Sequence, residues 1–82
     1  MSNFFEKMQK ARDFIEEYLK EFYFEDDNEE TRNIIKERII KYFDENDLTQ
    51  WKIEFKRGYK SFSVILKTDI EMTFFVKESN NS

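Results

Sequence analysis

Phe4, Met8, Ala11, Ile15, Tyr18 and Phe22 recur at alternating spacings of four and three, the seam of an amphipathic helix. Phe5, Leu19 and Tyr23 widen that seam into a face, and no breaker interrupts the run. The spacing predicts a helix from Asn3 to about Phe24, with Asn3 and Glu6 resembling a capping box. A second helix is expected from Asp27, where Asp27 as N-cap and Glu30 three residues on pair a cap with a carboxylate. Glu29 adds negative charge at the positive helix end. Ile35, Ile39, Tyr42 and Phe43 form its apolar face, supported by Ile34. The cluster Asp44-Glu45-Asn46-Asp47 ends it, with Asn46 expected in the left-handed conformation that closes many helices.

From Leu48 the period falls to two. Trp51, Ile53 and Phe55 alternate with charged residues, and Gly58-Tyr59 reads as a two-residue hairpin turn with Gly at its first position. Phe62, Val64 and Leu66 follow. After a turn at Lys67 to Asp69, the pattern resumes with Ile70, Met72, Phe74 and Val76 inward. These turns place Phe55 opposite Phe62 and Ile53 opposite Val64, then Leu66 opposite Ile70 and Phe62 opposite Phe74. Nearly every large apolar residue then falls on one sheet face. The expected class is α+β: two antiparallel helices packed on one face of a three-stranded antiparallel β-meander, ααβββ. Residues 1–77 are expected to form one domain, and 78–82 a flexible polar tail.

Composition narrows the chemistry. The chain has no His, no Cys, no Pro and one Gly in 82 residues. The commonest metal ligand and neutral-pH titrating group is missing, as are thiolate nucleophiles and disulfides. One glycine cannot build a phosphate-cradling loop. No catalytic, metal or cofactor site is therefore expected, and binding is the favoured class. No run is apolar enough to span a bilayer, and Ser2 stands where N-myristoylation needs Gly. A cytoplasmic protein is expected. The abundance of Lys, Asn, Ile, Phe and Tyr suits an AT-rich genome, pointing to a low-GC bacterium or its phages and plasmids, and to the host cytoplasm if phage-encoded.

Two surfaces stand out. The net charge is −4, and eight carboxylates against one lysine lie between Glu16 and Glu30. Asp13, Glu17, Glu21 and Glu25 follow at intervals of four, with Asp26, Asp27, Glu29 and Glu30 beside them. Along one helical face such charges sit about 6 Å apart, the scale of a phosphate backbone, and repel by roughly 0.2–0.5 kcal/mol per pair. They could offer a basic protein a nucleic-acid mimic. The plainer alternative is an ion-pair network with Arg32, Lys36, Arg38 and Lys41.

The second surface is the outer sheet face, where the expected rows are Lys52–Ile65–Glu71, Glu54–Ser63–Thr73 and Lys56–Ser61–Phe75. Lys52, Lys56, Ile65 and Phe75, with Tyr59 at the hairpin tip, give a basic, partly aromatic platform for single-stranded nucleic acid. Arginine is nearly absent there and carboxylates interrupt it. Phe14, Phe24, Ile65 and Phe75 also fall on expected outer positions, a surplus that a homodimer or another partner would cover.

Other patterns carry less. Asp26, Asn28, Glu30 and Glu37 match a calcium-loop spacing, but Thr31 replaces its glycine. Glu54 and Glu71 fall in different rows of an open face, Ser61 and Ser63 lack a base, and Trp51 reads as core. The expected function is a small acidic, non-enzymatic protein-binding module, of the phage- or plasmid-type inhibitor or immunity-like kind. It would capture a basic, nucleic-acid-binding partner; the alternatives are a single-strand binder and a structural or regulatory homo-oligomer.

Overall fold

Two 17-residue helices open the chain, and the position of their apolar residues decides how each lies on the sheet. The computed structural model describes residues 3–48, 51–68 and 70–77; the expected polar tail, 78–82, lies outside them. Helix α1 (Asn3–Leu19) buries Ala11, Ile15 and Leu19, a line of fours. That line lies on the expected face, with Met8, Tyr18 and Phe22 packed beside it; Phe4 and Phe5 at its start are exposed, and Phe14, expected outward, packs against the core. Asn3 is the first described residue of the helix, and the expected capping contact of its side chain lies outside what the structure describes.

The helix also ends earlier than its period predicts. A 3₁₀ turn (Lys20–Phe22) follows, and Phe24 has φ 73°, a left-handed conformation that breaks the run before Glu25. Helix α2 (Glu29–Glu45) is capped by Asn28, not Asp27: the Asn28 Oδ1 accepts from the Thr31 N–H at 2.8 Å. At its other end the left-handed residue is Asp47 (φ 57°) rather than Asn46 (φ −120°). Thr31, Ile35, Ile39 and Phe43 are its buried face.

The sheet has the order β1 (Lys52–Gly58), β2 (Ser61–Lys67), β3 (Glu71–Lys77), both pairs antiparallel, so the α+β meander stands. Both registers differ from the expectation by two residues. Phe55 pairs with Val64 and Ile53 with Leu66; Phe62 pairs with Val76 and Leu66 with Met72. The first turn is Tyr59-Lys60, with φ 55° at Lys60, and Gly58 closes the strand instead. Ile70 leaves the strand for the second turn and is exposed. Because side chains alternate with period two, a slip of two keeps every inward residue that stays in the ladder inward. Phe62, Val64, Leu66, Phe74 and Val76 remain buried with Leu48 and Trp51.

The helices run antiparallel, with Phe14 stacked on Tyr42 at 4.5 Å and the Arg38 guanidinium over Phe14 at 4.7 Å. The α2 N-terminal half sits by β1, where Arg32 lies over Phe55 at 5.5 Å. Helix α1 lies by β3, whose Lys77 carbonyl accepts a 2.7 Å hydrogen bond from the Phe24 N–H.

Candidate functional site

The segment joining the helices concentrates the charge. After the Phe24 break, the Glu25 N–H donates to the Phe22 carbonyl at 3.0 Å, and the chain runs irregularly to the Asn28 cap. Asp27 anchors this passage. Its carboxylate accepts from Arg32 Nε at 2.6 Å and Arg32 Nη2 at 2.7 Å, a bidentate pair, and meets Arg57 Nη1 at 3.0 Å. Only 2% of the Asp27 side chain is exposed. The Arg32 hydrogen bonds, reinforced by Arg57, hold its carboxyl below the usual carboxylate range against the opposing effect of burial. The same bonds push the Arg32 guanidinium up.

Asp27 thus leaves the expected acidic surface and becomes its tether. Around it, Glu21, Glu25, Asp26, Glu29 and Glu30 are all exposed, and among the described residues none of them is in an ion pair. On α1, Asp13 is likewise unpaired, whereas Glu17 meets Lys20 at 3.2 Å and Glu16 meets Arg12 at 3.5 Å. Those two exposed pairs are worth little. The stripe of four expected on one helix is therefore split. Asp13 and Glu17 lie on α1, Glu21 on the 3₁₀ turn and Glu25 beyond it. Glu21 still lies near enough to Tyr18 to raise its phenol pKa, behind the larger effect of burial and against the pull of Arg38. The network expected with α2 does not form: Arg32 turns to Asp27, and Lys36 is in no ion pair among the described residues.

On the outer sheet face the slipped register changes the rows. Lys52–Lys67–Glu71, Glu54–Ile65–Thr73 and Lys56–Ser63–Phe75 now lie side by side. Lys67 reaches Glu54 at 3.4 Å and Glu71 at 3.6 Å, and its bond to Glu54 chiefly raises its pKa. Phe75 is 65% exposed, Tyr59 is 87% exposed under Lys60 at 5.5 Å, and Ile65 is half-buried between its neighbours. Lys52 and Lys56 are exposed but share the face with that carboxylate–lysine triad.

A groove that the sequence does not announce runs between α1 and β3. It comprises cavities of 340 Å³ and 320 Å³ that share Glu16, Thr73 and Phe74. A third hollow of 490 Å³ lies beside Asp27, Arg32, Lys36, Phe55 and Arg57. Arg57 and Asp27 are 30 positions apart, so no local spacing could have paired them. Among the described residues, no group of three or more Asp or Glu stands close enough to hold a metal ion, and no helix is long and apolar enough to cross a membrane. No protein-family model, curated protein sequence or solved structure matches this chain.

Proposed function

We propose that this chain is a non-enzymatic protein-binding module that captures a basic partner through the corner formed by Glu21, Glu25, Asp26, Glu29 and Glu30. Asp13 and Glu17 extend it along α1. One observation carries the reading: the five corner carboxylates are exposed and in no ion pair among the described residues, while Arg32 is spent on Asp27. An arrangement of this kind raises association rates and loses strength with salt. A partner whose own role is to hold phosphates would find a comparable field here, as with an inhibitor or immunity-like protein acting in the cytoplasm.

The sheet face supports a single-strand binder less well. Its central lysine is tied to two carboxylates, and Phe75 is its one strongly exposed strand aromatic. The test is capture of a panel of basic nucleic-acid-binding proteins by the immobilised chain and by a Glu21→Lys, Glu25→Lys, Asp26→Lys variant. Salt-sensitive capture by the parent, lost in the variant, is expected. Equal capture by both removes the acidic corner from the mechanism.

A further inference from the structure

β3 is an outer strand, and the hairpin geometry says which of its main-chain groups face outward. Gly58 and Ser61 directly oppose each other across the two-residue turn, so Ser61 turns its N–H and C=O to β1. Period two turns Ser63, Ile65 and Lys67 the same way. Their β3 partners, Lys77, Phe75, Thr73 and Glu71, therefore point theirs away from the sheet. The Phe24 N–H on the Lys77 carbonyl realises this geometry at one end. Among the described residues, no backbone group of another element bonds to Thr73 or Phe75. An edge left open in this way is a template for a further strand.

The groove beside α1 gives that strand a seat and a direction. One end is lined by Phe5, Met8 and Met72 beside Gln9 and Arg12, whose guanidinium is paired with Glu16 at 3.5 Å. The other is bounded by Tyr23, Phe75 and Lys20, whose ammonium is paired with Glu17 at 3.2 Å, and the chain continues from there into Glu25 and Asp26. Phe24, at the same end, is 64% exposed in a left-handed conformation that costs a bulky residue about 1–2 kcal/mol.

We propose that β3 takes up an extended segment of the basic partner as a fourth strand, seated in this groove. Apolar side chains of the segment face Phe5, Met8 and Met72, and lysines or arginines at its other end reach Glu21, Glu25 and Asp26. The proposal rests on the acidic corner being a capture surface and adds how the partner docks. Main-chain bonds would supply affinity, and alternate side chains with the terminal charge would supply choice. Charge disfavours a second copy as the occupant. Glu16 lies level with Thr73 and Phe74, so two-fold pairing of β3 centred there would set Glu16 against its own copy and Arg12 against Lys20 of that copy.

The test uses the full chain and a synthetic peptide of three N-terminal lysines followed by alternating valine and threonine. Hydrogen exchange at the Thr73 and Phe75 amides is followed with and without peptide, and affinity is read by fluorescence anisotropy. Thr73→Pro deletes only an outward N–H and leaves the β2–β3 ladder whole; Phe75→Lys is the second edge variant. The peptide should slow exchange at both amides. Thr73→Pro should weaken binding by about tenfold, as should joint Glu21→Gln, Glu25→Gln and Asp26→Asn, about 1.4 kcal/mol each. Binding that ignores both edge variants and leaves the amides unprotected overturns the docking mode, while its loss in the neutralised variant would keep acidic capture intact. Loss in the edge variants alone overturns the basic-partner reading and this proposal with it. Protection of both amides in the peptide-free chain as its concentration rises assigns the edge to a second copy and also overturns it.

Discussion

Arg32 closes a bidentate pair on Asp27, with hydrogen bonds of 2.6 and 2.7 Å, five positions back across the start of α2. The guanidinium is thereby committed to the one internal carboxylate of the inter-helix segment, while Glu25 and Asp26 beside it are exposed and in no ion pair among the described residues. The pair also ties that segment to β1 through Arg57. Stability and charge display thus depend on one buried carboxylate.

Asp27→Asn is expected to cost about 2 kcal/mol, below the roughly 3–5 kcal/mol for breaking a fully buried ion pair because both arginines are partly exposed. The sign with pH follows from the lowered Asp27 pKa. Its contribution is fully present above the unfolded carboxylate value of about 3.9 and is lost as pH falls through the lower folded value. Urea unfolding of parent and variant should show a constant gap from neutrality down to about pH 4, narrowing below it. A gap that persists unchanged in stronger acid would contradict the ion-pair origin.

Lys60→Gly should stabilise the first hairpin by about 0.5–1 kcal/mol, since Lys60 and not Gly58 holds the positive φ. Gly58→Ala should be nearly neutral. The added methyl meets the Ser61 Oγ at 3.1 Å, a side-chain tip that can turn aside. Thermal melts of the two variants decide between the registers. Were Gly58 the left-handed turn residue, the Ala variant would be the damaged one.

Phe24→Gly should raise stability by about 0.5 kcal/mol, the left-handed strain relieved less the entropy of a glycine. A rise of roughly 2–4 °C in Tm is expected for a domain of this size. If the edge proposal holds, the same variant loses part of its contact with the docked strand, so stability and capture would move in opposite directions.

Phe14→Ala should destabilise by about 2–3 kcal/mol, because the ring is sandwiched between Tyr42 and the Arg38 guanidinium. Light scattering of parent and variant should give the same mass at equal concentration. A parent dimer that this change alone dissolves would return Phe14 to an interface role.

Much of this architecture was legible along the chain because two periods, about 3.6 and two, record which side of each element is dry. Trp51, Ile35, Ile39, Phe62, Val64 and Leu66 are core for that reason. The same alternation hid the register, since a slip of two residues moves every partner and exchanges no face. It hid the turn as well: only the closed hairpin shows that Lys60, not Gly58, takes the left-handed conformation. The candidate site divides the same way. Sequence alone determined that the charge gathers between the helices and that no histidine or cysteine chemistry attends it. The tertiary structure decided which carboxylate is internal, by bringing Arg57 from β1 onto Asp27, and left β3 as an open edge beside α1. Those outcomes belong to pairings between residues far apart in the chain, and no local period records them.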